Sequence, residues 1–508
     1  MKIINKLLLF YFKKRLSKIA NFEKTPGEIQ QKTFFFLLKK SQKTLWGQKY
    51  VYQDILESKN FSEALKKFQK NIPLYYYDDF KPWIEKVRKG EKNIIWPGRI
   101  KMFSKSSGTT SDKSKFLPVT KRALKNCHFA GGQDAFAMYL KNNPKSKLFS
   151  GKILGLVGSL KEDELNSKND CGDISAIILR HLPTWIQKMR VPKFKTSLMS
   201  EWEAKLKAII EDSKNENVVA LAGAPSWMLV LLQKMEQITG RKIKELWPNL
   251  EVMFYGGMSM TPYLEQYKNI IGPDLKYIET YGASEGLFGA NADSDKNDLL
   301  LMLDYEIFYE FVPLEKLNEE NPPALFLSEV ELDKNYALVI SSSAGLWRYV
   351  LGDTIKFTSL KPYRFIISGR TKSFINVFGE ELMESNASQA LIDTCKQTNT
   401  IVKEYCVAPV FMTTDQKGAH EWLIEFEKEP EDLESFRETL DINLQKINSD
   451  YEAKRYKDMT LEKLKISVAR SGLFMDWLAA KNKLGGQNKV PKLFNDRNVF
   501  EEIVKLNY

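Results

Sequence analysis

A chain of 508 residues is too long for one ordinary hydrophobic core, so two or more domains are expected. Its 43% hydrophobic and 12% aromatic content excludes a disordered protein, and four scattered cysteines with three histidines exclude a zinc cluster and a disulfide framework, which suits a reducing cytoplasm. The net charge of +12 is concentrated at the start, where residues 1–50 hold twelve Lys or Arg against Glu23 and Glu28, and the rest of the chain is nearly neutral. No nucleic-acid-binding motif accompanies that charge, so nucleic acid is not expected as a partner.

The first segment, MKIINKLLLFYFKKRLSKIANF, is too short in its apolar run and too quickly followed by Lys13, Lys14 and Arg15 to act as a cleaved leader. It reads as a basic amphipathic helix. Contact with an anionic membrane is open to such a helix, but packing on its own domain with the lysines in water is favoured. Helical spacing continues through Phe61, Leu65, Phe68 and Ile72. No run along the chain approaches the ~18 apolar residues of a membrane span.

Ser106-Ser107-Gly108-Thr109-Thr110-Ser111-Asp112-Lys113-Ser114-Lys115, followed by Pro118, is the first segment with chemistry in it. A Gly among small hydroxyl residues lets backbone N–H groups turn inward onto phosphate oxygens, and a lysine adds a mobile charge. It lacks the Gly-Lys-[Ser/Thr] ending of a Walker loop. A solvated loop is the plainer alternative.

From about residue 150 short apolar runs end in glycine turns: ILGLVG, VVALAG, VMFYGG and YIETYG, with a helical stretch from Trp227 to Gln237 between two of them. That alternation predicts an α/β domain with largely parallel strands and ligands at their C-terminal ends. Tyr281-Gly282-Ala283-Ser284-Glu285-Gly286 closes the series. Tyr281 could stack on a base, and Glu285 could hold Mg²⁺ bridging phosphate oxygens. The same letters satisfy Gly-x-Ser-x-Gly, the nucleophile elbow, which would make Ser284 the nucleophile of a hydrolase with His420 and Asp353 as partners.

IFYEFV, LFLSEV and ALVISS then predict consecutive strands of a β-rich subdomain. In Gly345-Leu346-Trp347-Arg348-Tyr349-Val350-Leu351-Gly352-Asp353, an Asp after a glycine turn suits a ribose diol, with Ser368-Gly369-Arg370 following. Beyond Arg370, strand-like YCVAPVFM and HEWLIEFE and a helical stretch from Pro430 to Ile447 predict a small α+β domain. The expected division is 1–371 and 372–508. Trp227, Met228, Met258 and Met260 read as core, or as the apolar wall of an acid pocket.

Taken in order, SSGTT…K, YGASEG and RYVLGD resemble the signature elements of acyl-adenylate-forming enzymes, the superfamily of acyl-CoA synthetases and luciferases. With GAPSWM (223–228) and SGRTKSFINVFGEEL (368–382), the chain most resembles the auxin-responsive-promoter family of acyl-acid amido synthetases in its bacterial-type form. The resemblance implies a large N-terminal and a small mobile C-terminal domain. It implies ATP- and Mg²⁺-dependent activation of a carboxylic acid to its adenylate, then transfer to an amine, commonly an amino acid. Coenzyme A as acceptor is the alternative, and a nucleotide-binding protein without turnover a further one.

By the same resemblance, Ser106, Ser107, Gly108, Thr109 and Thr110 match the phosphate loop and Lys115 its lysine. Tyr281, Gly282, Ala283, Ser284 and Glu285 match the adenine and magnesium motif, Asp353 the ribose aspartate, and Arg370 the arginine before the hinge, where Lys372 falls. The loop departs from the family in Ser111-Asp112, where a glycine is usual. Gly485-Gly486-Gln487-Asn488-Lys489-Val490-Pro491-Lys492 resembles the family's Gln-x-Lys-x-Pro stretch, which makes Lys489 the expected C-terminal catalytic lysine, with Lys492 in reserve and an ordinary surface lysine as the plainer alternative.

Overall fold

The computed structural model describes all residues except 1, 107–114, 258–259, 261–262, 292–295, 372–373, 376–379, 381, 412–417, 456–460, 485–488, 495 and 508, and the side chains except also those of 2–9, 106, 226, 370, 374, 449, 450 and 453. It divides into two compact units. The first holds residues 1–259, 266–351 and 355–366; the second holds 260–265, 352–354 and 367–508.

In the first unit, five strands run parallel in the order Arg190–Val191, Lys152–Gly155, Val218–Ala222, Val252–Gly256 and Lys276–Ala283. Four of these five strands, all but Arg190–Val191, are the glycine-ended runs of the sequence. Helix Pro225–Thr239 shows how the connections are made: proline opens it, where a missing N–H costs nothing, and Gly240 at φ +66 ends it. Tyr267 of the next crossover helix packs edge-on against Tyr277 and donates its hydroxyl to the Pro225 carbonyl at 2.7 Å.

The β-rich run does not make a subdomain sheet of its own. Its strands continue the same sheet to eleven, through Gly286–Ala290, Leu299–Leu301, Tyr363–Arg370, Tyr349–Leu360, Asn335–Ser342 and Ile307–Pro313. LFLSEV is not a strand. Glu329 accepts the Phe326 N–H at 2.6 Å and its own N–H returns to the Phe326 carbonyl, which winds Leu327–Glu329 into a 3-10 turn.

Helix Phe61–Asn71, capped by Asn60 accepting from Glu63 N at 3.0 Å, buries Leu65 and Phe68 as the spacing predicts. The helix Lys2–Ala20 packs on the first unit through buried Phe12 and Ile19. Its Arg15 pairs with Asp134 at 2.6 Å and also with Asp304, while Lys13, Lys14 and Lys18 stay exposed. Among the described residues, no helix is long and apolar enough to cross a membrane.

The second unit has a three-stranded sheet: Ile401–Val410 pairs antiparallel with Ala419–Lys428, which pairs in parallel with Lys465–Ala469. Helices Glu384–Thr398 and Leu433–Ile447 belong to the same unit, and Trp422, Phe436, Leu440 and Tyr451 are fully enclosed in its core.

Candidate functional site

The hydroxyl- and glycine-rich segment is the connection of a β-hairpin. Met102–Ser106 and Lys115–Val119 pair antiparallel with Ser106 opposite Lys115. Ser107, Gly108, Thr109 and Thr110, with Asp112 and Lys113, lie outside the described residues, as does the Ser106 side chain. Lys115 therefore stands at the foot of the loop. Its Nζ lies 5.6 Å from the centre of the Tyr77 ring, and the Tyr77 hydroxyl accepts the Phe116 N–H at 2.8 Å.

Arg88 covers the Phe116 ring at 3.5 Å and bonds Asp163 at 2.5 Å. Burial works to raise the Asp163 carboxyl, but the bonds from Arg88 and Asn169 outweigh it and hold it below the usual range. The returning strand of the hairpin is thus anchored at Phe116 before any ligand arrives.

Residues 281–286 fold as a tight hairpin rather than as an elbow. Gly286 pairs with Ala283 across a two-residue tip, Ser284-Glu285, and the chain returns antiparallel as Gly286–Ala290. A Cβ at Gly286 would press on Ile307 Cδ1 and crowd the Phe288 ring, so the glycine sits in a tightly packed place. A nucleophile elbow turns from a strand into a helix, and this strand does not. Ser284 is 8% exposed and accepts a hydrogen bond from Ser104 Oγ at 2.8 Å. His420 is in the second unit, fully enclosed, with Nε2 at 2.9 Å from Glu380. The hydrolase alternative therefore fails.

The Ser104–Ser284 bond joins two of the three predicted segments, because Ser104 lies on the strand that leads into the loop and Ser284 precedes Glu285. The third segment reaches the same place through Tyr349. Burial raises the Tyr349 phenol far above its ordinary value, and the nearby Glu285 carboxylate, with Tyr77 and Asp78, raises it further. Among the described residues, no group of three or more His, Cys, Asp or Glu could cage a metal ion. Glu285, a single partly exposed carboxylate, fits Mg²⁺, which takes one or two carboxylates and fills its shell with phosphate oxygens and water.

Asp353 does not follow a turn. It lies within the strand Tyr349–Leu360, and Gly352, at φ +89, kinks that strand. The Gly352 carbonyl accepts the Thr371 N–H at 2.8 Å, which sets Asp353 beside the backbone of Arg370 on the neighbouring strand. Lys372 and the Arg370 side chain lie outside the described residues. Arg348, in the same motif, is committed to structure: it is 4% exposed, pairs with Glu310 at 3.0 Å and donates to the Gln69 and Ile72 carbonyls.

Tyr281 is 4% exposed, with its ring tilted on Phe288 at 5.0 Å. Trp227, Met228 and Met260 are core, with Trp227 edge-on to Trp202 at 4.7 Å; Met258 lies outside the described residues. In the second unit Lys492 is ion-paired with Glu404 and held at 4.9 Å from the Tyr405 ring, whereas Lys489 is exposed. Sequence reasoning missed Ser104 altogether, since a serine within the strand Met102–Ser106 carries no local signal of its partner.

Comparison with known proteins identifies the fold and the family. The fold is that of the adenylate-forming ligases: a 2-hydroxyisobutyryl-CoA ligase in the postadenylation state superposes with a TM-score of 0.57 at 12% identity, over 94% of this chain and 90% of that one. The GH3.15 acyl acid amido synthetase superposes with a TM-score of 0.77 at 16% identity, over 97% and 95%. A jasmonoyl–L-amino acid synthetase of Oryza sativa subsp. japonica is 25% identical over 89% of this chain and 92% of its own.

The GH3 family N-terminal domain matches residues 15–276, more than half of the chain, the central domain matches 300–370 and the C-terminal domain 385–498. The chain belongs to the GH3 family, and it is a ligase of the acyl acid amido synthetase type.

Proposed function

We propose that the protein uses ATP to convert a carboxylic acid to its acyl-adenylate and then passes the acyl group to the amine of an amino acid. The observation that carries this is the Ser104–Ser284 bond at 2.8 Å, which fixes the stem of the hydroxyl-rich loop against the hairpin tip bearing Glu285.

An acid carboxylate must attack an anionic α-phosphorus, so two like charges have to be brought together and neutralised. The loop N–H groups with Lys115 receive the polyphosphate, Glu285 offers its carboxylate to Mg²⁺, and Asp353 with Arg370 takes the ribose. Bound Mg²⁺ would supply charge neutralisation on the phosphates. As the carboxylate oxygen bonds to phosphorus, pyrophosphate leaves. Lys489, which is exposed, stabilises the charge that develops there. The amine then attacks the activated carbonyl carbon, loses a proton, and AMP leaves. In this reading residues 1–371 form the ATP- and acid-binding domain and 372–508 the mobile one.

The test is a pyrophosphate-release screen of aryl and alkyl carboxylic acids, run alone, with amino acids, and with coenzyme A. Acid-dependent release, with amide formed only when amino acid is present, supports the proposal. Thioester formation with coenzyme A and no amide would move the protein to the acyl-CoA ligases. Release with no acid at all would refute both.

A further inference from the structure

Arg190 stands at the rim of the parallel half of the sheet. Its strand is last in the strand order and pairs with Lys152–Gly155, Arg190 opposite Ile153. The side chain reaches past that partner to Gly155, where a Cβ would collide with Nη2 and crowd Cζ, so glycine at 155 leaves the space the guanidinium occupies. The next residue, Leu156, donates its N–H to the Ala222 carbonyl at 2.9 Å, and its Cβ faces Gly223. The guanidinium therefore lies where the chain leaves two neighbouring parallel strands, on the edge where ligands of α/β sheets gather.

What separates Arg190 from the other recessed arginines is its lack of a counter-charge. Arg88, Arg348, Arg364 and Arg455 each hold a carboxylate. Among the described residues no hydrogen bond, ion pair or ring contact reaches the Arg190 guanidinium. Burial alone acts on it and pushes it down to about 10. Arg190 remains partly exposed, yet drawing even part of a cation out of water with nothing opposite is unfavourable, and a planar fork of N–H donors matches a carboxylate in bidentate fashion.

We propose that Arg190 binds a carboxylate carried by a substrate of the amide-forming reaction. This rests on the reading given under Proposed function. Two sources share that chemistry: the α-carboxylate of the amino acid, and a second carboxylate on a dicarboxylic acid.

The experiment compares the full-length protein with Arg190→Gln on two substrate pairs. One is an amino acid against its carboxamide, read as amide formation; the other is a dicarboxylic acid against its monomethyl ester, read as ATP–pyrophosphate exchange. The wild-type protein is expected to prefer the free carboxylate in one pair by roughly tenfold or more in kcat/KM, and Arg190→Gln to abolish that preference. The pair affected identifies the source.

Arg190→Lys keeps the charge without the fork and is expected to fall between, and Gly155→Ala, which displaces the guanidinium, to act in the same direction as Arg190→Gln. Undiminished preference in both pairs with a variant of unchanged thermal midpoint, or no preference in the wild type, overturns the proposal. No acid-dependent exchange by the wild type with any acid overturns the underlying function and this inference with it.

Discussion

The bond between Ser104 and Ser284 lends itself to a double-mutant cycle. Ser104 is completely enclosed and Ser284 is 8% exposed, so removing either hydroxyl strands the other away from water. Leaving a buried hydroxyl without its partner costs about 1–3 kcal/mol, whereas the net worth of such a bond is about 1 kcal/mol. Ser104→Ala and Ser284→Ala should each lower stability by about 1–3 kcal/mol in urea unfolding. The double variant, with both groups gone, should be less destabilised than the sum of the two, by about 1–2 kcal/mol.

If the bond also sets the loop stem against Glu285, each single variant should slow acid-dependent ATP–pyrophosphate exchange roughly tenfold, and the double variant by no more than the worse single one. Effects that add to within about 0.5 kcal/mol in both assays would refute the coupling.

Asp163→Ala should cost about 3–5 kcal/mol, because Arg88, 7% exposed, would be left as an uncompensated charge. Since the folded Asp163 carboxyl titrates below its ordinary value of 3.8, the wild-type contribution is present above pH 3.8 and lost as the pH falls through the lower folded value, and acid unfolding of Asp163→Asn should lack that step. Glu279 has the opposite sign. Burial raises it to about 7 against an ordinary 4.5, with the 3.3 Å bond from Tyr255 opposing, so stability is lost as pH rises from 4.5 to 7, on the order of 3 kcal/mol. Glu279→Gln should flatten that slope in urea midpoints taken at pH 5 and pH 8; an unchanged slope would place the titration elsewhere. Lys489→Ala should slow adenylation about 10²-fold without shifting the thermal midpoint, whereas Lys492→Ala, which strips Glu404 of its cation, should lower the midpoint.

Four of the five parallel strands were legible because each is an apolar run closed by a glycine, and that signal is local; Arg190–Val191 carries no such signal. The fate of the later strands was not legible: IFYEFV and ALVISS have the right alternation, but nothing in their letters says that they join the parallel strands in one sheet. LFLSEV read as a strand by composition and became a turn because one carboxylate, Glu329, found the Phe326 N–H. Likewise Gly352-Asp353 reads as a turn, yet a positive φ inside a strand uses the same glycine. Glu285 could be picked out because its motif is contiguous. Ser104 and Arg190 matter through partners 180 residues away and through the absence of a partner, and neither leaves a trace in sequence spacing.

The most direct measurement is acid-dependent ATP–pyrophosphate exchange by Glu285→Ala and Asp353→Ala, each checked for a native thermal midpoint. Loss of a group that stabilises the transition state by ~3 kcal/mol should slow exchange by at least ~10²-fold in both. Wild-type exchange rates in both variants would contradict the assignment of these two carboxylates to one ATP.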